Sequence, residues 1–167
     1  VQELDYRIFV ITNPVLAALR RLPRDVETRG REWVHAIKQI VTTVVPMQED
    51  GTVLFVREYL TGAGEYQLGL CKGGIEHGST PEETAQRELQ EEVGYKAGRL
   101  DKLAEVFLHP AYTTAKTHIF LARDLKESKL VGDEGEELEV VPYPFKDVEK
   151  LVDSGELHDA RIIAALY

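Results

Sequence analysis

The chain has 167 residues, 43% of them apolar and 29% charged, proportions that suit one globular domain with a sizeable core. Its formal net charge of −9 excludes broad binding to a nucleic-acid backbone, which needs clustered Lys and Arg, but not a small phosphorylated ligand bridged by a cation. The single cysteine, Cys71, excludes an intrachain disulfide and fits a reducing, cytoplasmic setting, and no apolar run is long enough to span a bilayer.

No secretory leader is read near the start, and Val1 in place of Met is what a trimmed chain is expected to show. Tyr6–Ile11 reads as a short strand broken by Asn13-Pro14, and Val15–Leu22 as a helical turn or a loop. Arg24–Thr28 and Arg31–Ile37, separated at Gly30, form one expected hairpin. Gln39–Met47 and Thr52–Leu60, joined by Glu49-Asp50-Gly51, form a second, because Asp-Gly is a strong hairpin-turn signal. Thr61-Gly62-Ala63-Gly64 is a loop and Glu65–Leu70 a short strand.

A helix then opens with clear punctuation. Thr80 is its N-cap, Pro81 its first residue, and Glu83 completes a capping box. Ala85, Leu89 and Val93 recur every four residues as a core-facing stripe, and Gly94 stops the helix. Strands are expected at Leu100–Leu108, Lys116–Ala122 and Leu138–Pro142, and helices at Lys146–Ser154 and His158–Tyr167. Strands before, between and after helices predict an α/β fold with a mixed sheet. His35, His77, His109, His118 and His158 show no metal spacing and are assigned to surface or loop positions; Cys71 is read as a small apolar filler.

The chemistry sits in Arg87-Glu88-Leu89-Gln90-Glu91-Glu92-Val93-Gly94. Three carboxylates at i, i+3 and i+4 share one side of a helix and repel one another. A hard divalent cation such as Mg²⁺ offsets that cost, since it takes oxygen ligands and shares them with substrate phosphates. A glutamate-rich helix alone usually reads as a solvated face. Gly73 stands fourteen residues before Arg87, and Gly94 closes the helix behind the glutamates. By spacing, Arg87 reaches Glu83 and Glu91 and is expected to hold Glu91 in place.

In that spacing Gly73–Tyr95 resembles the Nudix box: G, five residues, E, seven residues, R-E-U, any residue, E-E, any residue, G-U, with U bulky and apolar. One fixed position differs, with Ser79 standing where the box has its first glutamate, and Tyr95 meets the last U loosely. Glu83 or Glu76 would have to stand in for the missing carboxylate beside Arg87. Further marks extend the resemblance toward the bacterial ADP-compounds hydrolases and ADP-ribose pyrophosphatases. They are Pro110, fifteen residues after Tyr95; the acidic stretch Glu134-Gly135-Glu136-Glu137-Leu138-Glu139-Val140; and Lys72-Gly73-Gly74 in place of the commoner Pro-Ala-Gly.

The resemblance implies an α/β/α sandwich over residues 39–167, preceded by N-terminal strands in 1–38 that dimerise the chain and close the partner's site. It implies Mg²⁺-dependent hydrolysis (Mn²⁺ is the other candidate) of the pyrophosphate bond in ADP-ribose, NADH or diadenosine polyphosphates, releasing AMP. Glu88, Glu91 and Glu92 become metal ligands, joined by the main-chain carbonyl of Lys72 and by Glu136. Glu134 becomes the general base, with Arg87 and Glu91 also catalytic. Trp33 stacks on adenine, while Arg31, Glu32, Arg57 and Tyr112 contact base or phosphates. The implied assembly is a cytoplasmic homodimer with a small nucleotide as partner. Two alternatives accompany this reading: a GDP-mannose or other nucleotide-sugar pyrophosphatase, and a Nudix-fold nucleotide sensor without catalysis, suggested by Ser79.

Overall fold

The computed structural model describes residues 40–60, 63–110, 113–132 and 138–167. The expected N-terminal strand and first hairpin, and with them Arg31, Glu32 and Trp33, lie outside the described residues, as do Tyr112, Glu134 and Glu136.

The described chain runs β1 (Ile40–Pro46), β2 (Thr52–Leu60), β3 (Glu65–Gly69), β4 (Cys71–Gly74), α1 (Pro81–Glu88) with a π-turn (Leu89–Val93), and β5 (Tyr95–Phe107). It continues through β6 (Lys116–Glu127), β7 (Glu139–Pro144), a 3₁₀ turn (Phe145–Asp147), α2 (Val148–Asp153) and α3 (Ala160–Leu166). The strands form two sheets, ordered β4-β1-β6-β5 and β3-β2-β7. β1 and β6 run parallel and the other neighbours antiparallel, so the sheet is mixed, as expected.

Successive strand side chains face opposite ways, and β1 buries both of its faces. Val44 joins Leu54, Val56, Cys71, Phe120 and Ala122 in a core covered by Ala85, Leu89 and Val93. Val45, its neighbour, joins Val53, Phe55, Leu68 and Leu70 in a second core covered by Leu151 and Val148 of α2 and by Ile162 and Leu166 of α3. The outcome is helix, sheet, helix. Burying a Val, Leu or Phe side chain is worth about 1.5–3 kcal/mol, so two such cores hold β1 firmly between the layers.

The second expected hairpin is corrected. Its turn forms: Gln48 N–H donates to Thr52 O at 2.8 Å, Asp50 Oδ1 accepts from Thr52 N–H at 2.9 Å, and Gly51 takes φ +83°. Beyond it only Met47 and Val53 pair, and β1 and β2 part into different sheets. Pro46 has no N–H to continue a ladder, and β1 has β4 on one edge and β6 on the other. Other strands also differ from expectation, in existence or in length. β4 was not foreseen. β5 starts at Tyr95 and β6 runs on to Glu127, because Tyr95–Arg99 pairs with Arg123–Glu127 in an extension rich in charge and poor in apolar alternation.

Candidate functional site

The carboxylate helix is built from its first residue. Thr80 Oγ1 accepts from Glu83 N–H at 3.1 Å, and Glu83 Oε2 accepts from Thr80 N–H at 2.9 Å, the reciprocal capping box. Donation to the Glu83 carboxylate from the Thr80 N–H, and from the Thr80 hydroxyl at 3.0 Å, holds that carboxyl below its usual pKa. Glu83 is thus committed to the cap, which corrects the expectation that it meets Arg87.

Arg87 instead donates through Nη1 to Glu91 Oε2 at 2.6 Å and through Nη2 to Glu88 Oε1 at 2.5 Å. Partial burial opposes its charge, but Glu88, Glu91 and then Glu76 outweigh that and push its pKa up. Of Glu83 and Glu76, the two candidates for the place that Ser79 leaves, Glu76 is the one among the charges that raise the Arg87 pKa. Glu76 also closes the turn before the helix, its carbonyl accepting from Ser79 N–H at 3.1 Å.

Glu88 and Glu92 are 8% and 5% exposed, rare values for carboxylates. Glu92 Oε2 accepts from the main-chain N–H of Lys72 at 3.1 Å. The Lys72 side chain pairs with Glu58 of β2, a partner with no local sequence signal, since it lies fourteen residues away. Gly73 stands against Glu88 so closely that a Cβ would overlap the carboxylate. At the far end Gly94 takes φ +86°, the left-handed cap expected of it. Cys71, fully buried as expected, has its thiol pushed up by burial and then by the field of Glu92, Glu88 and Glu91.

The structure thus brings together Lys72, Gly73, Arg87, Glu88, Glu91 and Glu92. In this conformation the carboxylates close on Arg87 and on Lys72 N–H, and among the described residues no three His, Cys, Asp or Glu side chains are gathered at metal-ligand spacing. The donor chemistry nonetheless fits a hard divalent cation: buried carboxylate oxygens beside a bare glycine that leaves room for one of them. Arg57 is tied to Glu139 at 3.2 Å and reaches Glu156 at 3.8 Å, a pair of acids at the start of β7 and between α2 and α3.

His118 corrects its assignment to a surface or loop. It lies on β6, its side chain only 12% exposed, with Nδ1 at 3.3 Å from Glu105. Burial, ahead of neighbouring Lys102, holds it below the usual imidazole pKa.

The family model described as "NUDIX domain" matches residues 37–166. The chain is 38% identical over 124 residues to the ADP compounds hydrolase NudE of Escherichia coli K12, covering 74% of this chain and 66% of that one. It is 34% identical over 125 residues to the ADP-ribose pyrophosphatase of Bacillus subtilis 168, covering 74% and 68%. A GDP-mannose pyrophosphatase of Yersinia enterocolitica is 31% identical over 133 residues, covering 75% and 70%. A solved structure titled as the crystal structure of an ADP compounds hydrolase superposes with a TM-score of 0.73 at 36% identity, covering 77% of this chain and 69% of that one.

Proposed function

This chain belongs to the Nudix family, and on that premise we propose that it hydrolyses the pyrophosphate bond of ADP-compounds such as ADP-ribose, NADH and diadenosine polyphosphates, releasing AMP. The observation that carries the reading is the pair of buried carboxylates, Glu88 and Glu92, packed with Glu91 around Arg87 and against Gly73 and Lys72. Burial of like charges is costly unless they are paired or hold a metal. Glu88, Glu91 and Glu92 would hold the cation, with the Lys72 carbonyl and Glu136 completing the set. Mg²⁺ is the proposed ion and Mn²⁺ its substitute. Such an ion neutralises the diphosphate oxygens and lowers the pKa of a bound water.

The chain's own residues do the rest. Arg87 fixes Glu88 and Glu91, and Lys72 N–H fixes Glu92, so their oxygens would be presented to the cation in one arrangement. Glu134 takes the proton as a water oxygen bonds to phosphorus and the bridging P–O bond breaks. Trp33, Arg31, Glu32, Arg57 and Tyr112 are proposed to bind the nucleotide. No described helix is long and apolar enough to cross a membrane. A cytoplasmic homodimer, with residues 1–38 closing the partner's site, completes the proposal.

The relative named for GDP-mannose keeps a nucleotide-sugar substrate as the second reading. The test is a hydrolysis screen over ADP-ribose, NADH, diadenosine triphosphate and GDP-mannose, with and without Mg²⁺. AMP released only with Mg²⁺ is expected. GMP from GDP-mannose as the dominant product would move the assignment to the second reading, and no turnover of any of the four would leave a nucleotide sensor.

A further inference from the structure

The helix that carries the carboxylates does not end as an α-helix. Over Leu89–Val93 it opens into a π-turn, and Gly94 N–H donates to Leu89 O, five residues back, at 3.1 Å. Such turns are rare, and they occur frequently at functional sites. Glu91 and Glu92 both lie inside this one. Their direction relative to Glu88 is therefore set by the widened turn, not by α-helical spacing.

The hydrogen bonds show what holds it open. In an α-helix Gly94 N–H would donate to the carbonyl of Gln90. Here that carbonyl is claimed from outside, by Leu130 N–H at 3.2 Å. The Gln90 side chain donates through Nε2 to Ser128 Oγ at 2.9 Å. Ser128 N–H donates to Gly94 O at 2.8 Å. The segment leaving β6 thus grips the turn at residues 90 and 94, on either side of Glu91 and Glu92. The Nudix box leaves the position of Gln90 open to any residue, and Ser128 lies outside the box.

We propose that Gln90 and Ser128 are positioning residues for the metal site: their bond, with that of Leu130, keeps the π-turn open and so aims Glu91 at Arg87 and Glu92 at the Lys72 N–H. The proposal rests on the reading of Glu88, Glu91 and Glu92 as metal ligands. If the turn closed to α-helix, Gln90 O would return to Gly94 N–H and both carboxylates would rotate about the helix axis.

The test measures Mn²⁺ binding to the substrate-free full chain, from the electron paramagnetic resonance signal of the free ion, beside the thermal midpoint of the metal-free protein. Gln90→Met keeps length and helix propensity but loses the donor, and Ser128→Ala loses the acceptor. Each is expected to weaken Mn²⁺ binding about tenfold, the lower end of what losing a partner behind a metal ligand costs. The double variant should be no weaker than the weaker single one, because both remove one bond, and Ser128→Thr should bind as the parent does. Were the clamp only a staple, the midpoint would fall while Mn²⁺ affinity stayed at the parent's value; that result overturns the proposal. With binding lost in a Glu92→Gln control, the ligand reading would survive the same result. A parent that binds no Mn²⁺, or a Glu92→Gln variant that binds as tightly, removes the ligand reading and the positioning role together.

Discussion

A methyl group on Gly73 would land on the carboxylate of Glu88. Nothing in the backbone of Gly73 demands glycine, since its φ is not among the positive ones; the demand comes from the neighbour alone. Glu88 is the flexible partner, so Gly73→Ala is expected to push it aside at small cost in stability. The Mg²⁺ concentration for half-maximal activity should then rise about tenfold or more, read from a metal titration beside a thermal melt. Unchanged Mg²⁺ dependence would separate Gly73 from the metal. A different residue, Glu134, is assigned the proton. Glu134→Gln should lower kcat about 10²–10⁴-fold with Mg²⁺ binding intact, and full turnover in that variant would move the base elsewhere. At this scale the sequence was a partial guide: the spacings of Gly73, Arg87 and the three glutamates bring them together, but the π-turn that directs Glu91 and Glu92 has no spacing signal. Lys72 with Glu58, and His118 with Glu105, were not legible, because each pair joins residues on different strands.

The capping box is the element whose sequence reading needed no change, since every atom it uses lies within four residues. It also makes the cleanest stability prediction. Thr80→Ala removes the acceptor for Glu83 N–H and should cost about 1 kcal/mol at neutral pH. The folded chain holds the Glu83 carboxyl below its usual pKa, so the unfolded chain binds that proton more tightly. The part of the box that depends on ionised Glu83 is present at neutral pH and is lost as pH falls below the ordinary glutamate value of about 4.3. The gap between parent and variant should therefore narrow in acid, as measured by denaturant unfolding at pH 7 and at low pH. The main-chain bond from residue 80 to the carboxylate survives in the variant, so a gap independent of pH would mean that the bond from the Thr80 hydroxyl to ionised Glu83 contributes nothing. The second hairpin shows the opposite case. Asp50-Gly51 dictated a reversal and the reversal is there. Which strands then pair was decided by residues far along the chain, in β4, β6 and β7, and turn chemistry carries no information about those.

For the whole molecule an α/β fold with a mixed sheet was legible from strands standing before, between and after helices, and the α/β/α layering came from the resemblance to the Nudix family. The division into two sheets was not legible, since it depends on long-range pairing. The two cores meet at β1, with Val44 on one face and Val45 on the other, so a ligand that steadies the α1 side stabilises the fold that both cores share. A cation bound only by the folded chain adds RT ln(1 + [L]/Kd), about 2.7 kcal/mol at a hundredfold excess over Kd. In a domain of this size each kcal/mol moves the midpoint by about 2–4 °C. Mg²⁺ without substrate is thus expected to raise Tm by roughly 5–10 °C at that excess. The net charge of −9 offers a competing cause, because any salt screens self-repulsion. Melts matched in ionic strength with NaCl separate the two. Screening would raise the parent and Glu92→Gln equally in either salt. A site at Glu92 would give the parent alone a rise specific to Mg²⁺, and an equal Mg²⁺ response in both proteins would place the ion elsewhere.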